Sequence, residues 1–467
     1  MSTKSLTNAA AARRRAANPY SLGSALKNGG PIVWLSCLIM GLGNFAAGQF
    51  IKGLLFLAIE AAVIVYMFVP AQGGMYWLSM LPSLGDRETE EVWDDAQGIF
   101  VYVTGDNSQQ ILLYAVVTIA ILFALVVLWR ASVRSGYQAL CIKRSGKKAP
   151  SIVDDIKALF DVNIHKLLMI LPFMALVVFT IVPLVYMMLM AFTNYGKLDS
   201  HLVLFDWVGL KNFADIFSTE SSIGKQFWDV LAWTLIWAFF ATFLNFFMGT
   251  FMAMIINRPT TRLKGLWRTI LSLTIAVPQC VSLLIIRTMF QPMGAVNELL
   301  RSLGIIGVTE SLPFWTDATW ARVTIIVINL WVGIPYTVMQ VTGILKNIPA
   351  DLYEAARIDG ANVVQQFINI TLPYMVFVLT PYMITSFTGN INNFNIIYLL
   401  SGGGPTNVGD TAGQTDLLVT WLYKLSVDNL QYNLAAVIGI LTFVVLAVVS
   451  LVTYRSSGSY KDEEGFK

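Results

Sequence analysis

The chain has 467 residues, 56% of them hydrophobic and only 13% charged, with a mean hydropathy of +0.64. Soluble domains carry about 25% charged residues, so a water-soluble fold is excluded and an integral membrane protein is expected. A net charge of +3 gives no nucleic-acid footprint, Cys37, Cys141 and Cys280 show no metal or redox spacing, and His165 and His201 alone cannot make a metal centre or catalytic cluster.

Residues 1–30 are polar and basic, with Arg13, Arg14 and Arg15 in a row, and are expected on the cytoplasmic side. Residues 31–166 form an N-terminal membrane region. Its first apolar run, 32–48, is short and rich in glycine. The second, 53–70, carries Glu60, and the two together begin too late and run too long for a simple cleaved signal. Residues 71–109 are polar, with seven acids (Asp86, Glu88, Glu90, Glu91, Asp94, Asp95, Asp106) against Arg87 alone. A span over 110–129 leads to a loop, 130–166, dense in Lys and Arg, the mark of the cytoplasmic face.

Residues 167–453 form the second membrane region. A span over 167–190 leads outward to a loop, 191–226, whose Phe192, Tyr195, Trp207 and Phe213 suit a membrane interface. Spans follow over 227–256, 269–289, 320–344, 372–390 and 433–453, with Arg258, Arg262, Lys264 and Arg268 in the loop after the first of these. The tail, 454–467, holds Arg455, Lys461 and Lys467 among acids. The basic clusters and the acidic segment fall on opposite sides only if an odd number of crossings separates residue 30 from residue 71. Residues 32–48 are therefore expected to be re-entrant or interfacial. The predicted fold is an all-α polytopic membrane protein of about eight transmembrane helices, both termini cytoplasmic.

Between two long apolar segments lies a polar stretch, 349–373. Pro349 suits a helix start, Tyr353–Arg357 reads helical, Gly360 interrupts, Ala361–Ile370 reads as a second short helix, and Pro373 opens the next apolar run. Two short helices bent at a glycine make a knob that another protein can grip. An ordinary loop would explain the polarity, but not about 25 residues with so few turn formers.

Polar groups inside apolar runs are expensive and point to function or tight packing. Three clusters stand out: Thr274–Ser282, with Pro278 and Gln279; Asn329–Tyr336, where Asn329, Gly333 and Tyr336 share a helix face; and Ser386–Asn393, where Ser386, Asn390 and Asn393 repeat that spacing. Neutral donors and acceptors of this kind match a solute rich in hydroxyls, each of which needs a partner once water is removed. Trp331 and Phe394 are candidates to cover apolar ring faces, and Gly389 would admit a close approach. The same polar residues can also join helices by hydrogen bonds. Gly402-Gly403-Gly404-Pro405 reads as a flexible outer turn, and residues 401–432 could touch a delivering receptor or close the outer mouth.

Glu354-Ala355-Ala356, Gly360 and Ile370-x-Leu372-Pro373 resemble the EAA motif of bacterial ABC importer membrane subunits. From about residue 167 to 453, the phrases AFTNY, WVGLKNF, NLWVGIPY, SFTGNINNFNIIYLLSGGGP and YNLAAVIGI resemble the larger membrane subunit of the maltose and maltodextrin importer, the MalF type. Residues 1–166 resemble that family less. The resemblance implies a binding-protein-dependent sugar permease of the cell inner membrane. It implies that Glu354, Ala355, Ala356 and Gly360 couple to an ATPase, and that Gln279, Asn329, Val332, Gly333, Tyr336, Ser386, Asn390 and Asn393 bind substrate. Ile275 stands where the maltose protein has a tyrosine, and Gln279 where it has a serine. The implied partners are a second homologous permease subunit, two ATP-binding cassette subunits, an extracytoplasmic sugar-binding protein, an oligosaccharide and membrane lipid.

The chain has no Gly-rich loop followed by Lys and Ser or Thr. It is therefore not expected to be an enzyme or to hold a cofactor, with ATP and Mg bound by the partner ATPases. An ion-coupled secondary transporter is the rival of another class; it would need buried titratable groups, for which Glu60 and Arg287 are the candidates. A permease for another solute, such as a glycerol phosphate, is the nearer rival, disfavoured by the scarcity of bases near the three clusters.

Overall fold

A computed structural model describes residues 19–94, 99–103, 105–197, 202–258 and 260–456. The arginine triplet, Asp95, His201, Lys461 and Lys467 lie outside the described residues. The chain divides into two compact units, Met1–Leu189 with His201–Trp207, and Met190–Ser200 with Val208–Lys467. The span expected over 167–190 thus groups almost entirely with the first unit.

In the first unit the run 32–48 forms two five-residue helices, α2 (Pro31–Leu35) and α3 (Leu42–Ala46), after α1 (Leu22–Asn28). Neither approaches the roughly 20 residues of a spanning helix. Their connection is held by neighbouring polar groups: Met40 N donates to Glu60 Oε2 at 2.8 Å, Gly41 N to Ser132 Oγ at 2.9 Å, and Asn44 Nδ2 to Gln49 and Ser135. Glu60 lies on α4 (Phe50–Phe68), and Ser132 and Ser135 on α6 (Ser108–Arg144). The carboxylate weighed for ion coupling is engaged as a cap for a backbone amide.

After α5 (Gly74–Met80), the acidic segment contains an antiparallel hairpin, β1 (Glu90–Asp94) and β2 (Ile99–Val103), pairing Glu90 with Val103 and Asp94 with Ile99. This is the one departure from an all-α fold among the described residues. Ile99–Val103, five β-branched or aromatic residues in a row, carried the strand signal. Asp106 anchors the hairpin's base. Its Oδ2 accepts from the amides of Asp86 and Arg87, each at 3.2 Å, and its Oδ1 from Arg87 Nη2 at 2.8 Å.

The Arg87 side-chain bond chiefly holds the Asp106 carboxyl below the ordinary carboxylate range, against the effect of burial. The unfolded segment therefore protonates first. The stabilisation is complete above about pH 4, the ordinary value, and is lost as pH falls through the lower folded value. Exchange of the Asp86 and Arg87 amides, corrected for intrinsic rate, is expected to accelerate on acidification. In Asp106→Ala it should be fast even at neutral pH. The unit closes with α7 (Ile152–Phe160) and α8 (Ile164–Met190).

In the second unit, α9 (Lys211–Phe217) precedes α10 (Ser222–Asn257), at 36 residues about 54 Å long. The Ser221 hydroxyl caps α10 by accepting from Gly224 N. Next come α11 (Lys264–Ala276) and α12 (Gln279–Met289), bent by 90° where Val277 and Pro278 adopt extended backbone. Then follow α13 (Ala295–Ser302), α14 (Ala318–Leu345), α15 (Ala350–Ile358), α16 (Val363–Ile391), α17 (Phe394–Leu400), α18 (Leu418–Tyr423) and α19 (Tyr432–Ser456). Among the described residues seven helices are long and apolar enough to span, and eight if the bent α11–α12 pair counts as one. The segments expected to cross are these.

Two local expectations are corrected. Ala361–Ile370 is not a separate short helix, because α16 runs from Val363 through Pro373 without interruption. Proline removes one hydrogen bond and crowds the carbonyl four residues back. A π-helical turn over Phe367–Thr371 widens the helix just ahead of it. The same device, Val177–Ile181, precedes Pro183 in α8. The triglycine turn is also not loose. Gly403 is buried, its carbonyl accepts from Thr415 N, and Thr415 Oγ1 bonds both Ser401 Oγ and the Gly404 carbonyl.

The aromatics of the loop at 191–226 pack within the protein. Tyr195 stacks on Tyr432 at 4.7 Å, Phe192 meets Phe213 at 5.4 Å, and Trp207 Nε1 donates to the Leu81 carbonyl within the first unit. Asn212 explains why the phrases AFTNY, WVGLKNF and YNLAAVIGI occur together. Its Nδ2 donates to the carbonyls of Ala191 and Thr193, and its Oδ1 accepts from Asn433 Nδ2.

Candidate functional site

Two apolar clusters in the second unit leave a polar interval between them. One gathers Trp233, Trp237, Ala241, Leu283, Ile325, Ile328 and Ile396; the other Phe246, Ala253, Val338, Val341, Met375 and Leu379. On α10 the interval holds Thr242 and Asn245. On α14 it runs from Asn329 to Thr337, and on α16 it begins beyond Leu379. A cavity of about 260 Å³ opens there, just under the roughly 300–1,000 Å³ of small-molecule sites.

Gln279, Asn329, Val332, Gly333, Tyr336, Ser386, Asn390 and Asn393 all line this cavity. The three clusters come together because α14 carries Asn329, Val332, Gly333 and Tyr336 on one face, and α16 carries Ser386, Gly389 and Asn390 on one face with Asn393 following it. Gln279 reaches the cavity as the first residue of α12, beside the bend. Asn393 lies just beyond the end of α16 rather than on its continuing face, and its Oδ1 accepts from Ile396 N to cap α17. Gly389 leaves open space where a Cβ would stand.

Sequence reading missed part of the wall. Thr242, Asn245 and Phe246 of α10 and Tyr382 and Met383 of α16 also line the cavity. Thr242 and Asn245 are polar residues three apart within an apolar run, the same signal that marked the other clusters. Trp331 and Phe394 do not line it. Trp331 is exposed on another face of α14, and Phe394 stacks on Tyr398 at 4.8 Å. The aromatic surfaces present are Phe246, Tyr336 and Tyr382. Ile275 is not among the lining residues either.

A linked set of polar bonds runs along the wall. Asn390 Nδ2 donates to Thr242 Oγ1 at 3.0 Å, Asn393 Nδ2 to Asn390 Oδ1 at 3.4 Å, and Trp237 Nε1 to the Asn390 carbonyl at 3.0 Å. Asn245 Oδ1 and Asn329 Nδ2 are buried without a partner. The lining residues include no Asp, Glu, Lys, Arg or His. Such a wall can desolvate a neutral, hydroxyl-bearing solute. It offers no opposite charge to pair with a buried one.

The stretch 349–373 is arranged differently. On α15, Leu352, Glu354, Ala355 and Ile358 are exposed, and Ala356 is partly buried. Gly360 turns the chain at φ +76°, in the left-handed region open to glycine. Asn362 and Gln365 cap α16 reciprocally. Tyr353 OH and Thr371 Oγ1, 2.8 Å apart, tie α15 to the base of α16.

Residues 245–457 match the family described as the binding-protein-dependent transport system inner membrane component. The chain is 36% identical over 439 residues to the galactooligosaccharides transport system permease protein GanP of Bacillus subtilis (strain 168), covering 92% of this chain and 99% of that one. It is 33% identical over 444 residues to the maltodextrin transport system permease protein MalC of Streptococcus pneumoniae serotype 4, covering 92% and 96%. The chain belongs to the MalF-type family of binding-protein-dependent permeases. MalF of Escherichia coli (strain K12) itself is 39% identical over 256 residues, 53% of this chain and 49% of that one. The fold is shared with a chain of a bacterial ABC transporter that imports alginate, at a TM-score of 0.53 and 24% identity over 65% of this chain and 97% of that one. As a MalF-type permease, the chain is a multi-pass membrane transport subunit and not an enzyme.

Proposed function

We propose that this MalF-type permease is a membrane-spanning half of an ATP-driven importer for a neutral oligosaccharide, and that the cavity between α10, α12, α14 and α16 is the sugar's site midway across the membrane. The observation that carries this reading is the wall itself: amides, hydroxyls and aromatic rings without a charge. GanP is named for galactooligosaccharides and MalC for maltodextrin, both neutral sugars. The alginate importer of the same fold is titled for an acidic polysaccharide; a substrate of that kind would ask for basic residues, which this wall lacks.

The partners are a second homologous permease, two ATP-binding cassette subunits that bind Mg and ATP, and an extracytoplasmic sugar-binding protein. In the complex of the alginate transporter, a pentasaccharide-bound periplasmic protein is present. The exposed face of α15, with Glu354, Ala355 and Ala356, docks into an ATPase subunit. Gly360 and the Tyr353–Thr371 bond carry its displacement into α16, which bears Ser386 and Asn390. ATPase closure opens the cavity outward and hydrolysis resets it inward, an alternating access around a fixed site. The chain lies in the inner membrane with both termini cytoplasmic. An ion-coupled mechanism is disfavoured because Glu60 is engaged with the Met40 amide.

Proteoliposomes holding the four-subunit complex test the proposal, with maltotriose and β-1,4-galactotriose as probes. Uptake of at least one sugar is expected only with ATP on the coupling side and binding protein on the other. Uptake driven by an ion gradient without ATP, or uptake of neither sugar, would overturn it.

A further inference from the structure

In the first unit, α7 has its roll about its own axis pinned while one flank stays uncovered. A reciprocal cap between Ser151 and Asp154 starts the helix. The Pro150 carbonyl just before it accepts from Gln49 Nε2 at 2.7 Å, and Asp155 Oδ2 meets Lys52 Nζ of α4 at 2.8 Å. Ile152, Asp155 and Leu159, on the flank so held, are half-buried. Val153, Ile156 and Phe160, spaced by three and four, form an apolar stripe on the opposite flank. They are 54%, 48% and 66% exposed. Lys157, also exposed, borders the stripe one turn from Val153. Only residues 161–163 join α7 to the span α8. Three residues reach about 10 Å, so α7 stays beside the end of a membrane span.

We propose that α7 lies in the membrane interface, with Val153, Ile156 and Phe160 among acyl chains and Lys157 against the phosphates of anionic lipids. At nine residues the helix is about 13.5 Å long, too short to cross and long enough to lie along the surface. Such a helix buries its apolar stripe about 5–10 Å into the boundary between headgroups and acyl chains. Its direct continuity with α8 keeps the stripe at that boundary. Charge selects the headgroup. Over residues 143–166 six bases stand against three acids, and one of those acids, Asp155, is already paired with Lys52. Lys147, Lys148 and Lys166 are exposed, as Lys157 is. Each base near the surface raises the preference for anionic lipid by about fivefold. The leaflet is the inner one on the orientation proposed above, and the lipid contact itself requires no particular transported solute.

The test uses the assembled complex in proteoliposomes of mixed phosphatidylcholine and phosphatidylglycerol. Equal amounts of photoreactive phosphatidylglycerol and phosphatidylcholine, each with a diazirine high on the acyl chain, are the probes. Adducts on residues 152–162 are read by peptide mass spectrometry. The parent should favour the glycerol probe over the choline probe by about fivefold or more. The double variant Ile156→Gln, Phe160→Gln should lower labelling by both probes about tenfold, since two large apolar side chains no longer hold the helix in the interface. The triple variant Lys147→Gln, Lys148→Gln, Lys157→Gln should still be labelled, with the ratio of the two probes near one. Phe160→Ser alone gives the first comparison should the double variant not assemble. Parent labelling no higher than that of the stripe variants would overturn the proposal. So would equal labelling of the parent by both probes, or labelling that appears only once the ATPase subunits are stripped away, which would show a protein seated on the stripe. Each of these results leaves the sugar reading standing, because ATP-driven uptake tests that reading separately.

Discussion

Lys424→Met is expected to destabilise the second unit by about 3–5 kcal/mol, the cost of leaving a buried charge without its partner. The Asp416 side chain is fully buried and that of Lys424 is 14% exposed, with Nζ 2.6 Å from Asp416 Oδ2. The carboxylate also accepts from Gly413 N at 2.7 Å and Thr420 Oγ1 at 2.8 Å. Around it folds the loop that carries the three glycines, which Gln226 of α10 fastens by accepting from the amides of Thr411 and Ala412. Desolvation pushes the Asp416 carboxyl above its ordinary range, and Lys424 opposes that push first among its neighbours. Without the lysine the carboxyl takes up a proton or the loop opens. The double variant Lys424→Met, Asp416→Asn should recover much of the loss, since no charge is then buried. The thermal unfolding midpoint of the purified complex, followed by tryptophan fluorescence, checks the order: parent highest, double variant next, single variant lowest. A single variant as stable as the parent would show that the pair contributes nothing.

Asn390→Ala is expected to reduce sugar uptake by about 10–100-fold with the complex still assembled. The substitution removes the bond to Thr242 and the acceptor for Asn393, and a buried polar group left unpaired costs about 1–3 kcal/mol. The Trp237 bond is to the Asn390 backbone and survives, so the packing of α10 on α16 has no reason to fail. Tyr336→Ala should act in the same direction, because Tyr336 lines the cavity from α14. Initial uptake rates alongside co-purification of the partner subunits separate a lost site from a lost complex. Full uptake by both variants would contradict the assignment of the cavity.

Much of this was legible in the sequence because membrane burial is unforgiving. Polar residues within apolar runs need a reason, and for Asn329, Tyr336, Ser386 and Asn390 the helical spacing alone placed them on shared faces. Thr242 and Asn245 obey the same rule, but in a 36-residue helix their two polar positions are diluted by aromatic and aliphatic neighbours. The β-hairpin was hidden by its acids, although Ile99–Val103 carried strand propensity. Trp331 and Phe394 were misassigned because sequence proximity to a polar cluster does not fix which helix face a ring occupies. The glycines at 402–404 read as loose because their composition allows many conformations. Only the structure shows the buried carboxylate and the threonine that hold them.

The most direct measurement is the position of bound sugar in the assembled complex trapped with its binding protein and a transported oligosaccharide. Sugar density is expected in contact with Asn329, Asn390 and Tyr336, between the two apolar clusters of the second unit. Density confined to any other path through the membrane, with this cavity filled only by side chains, would contradict it.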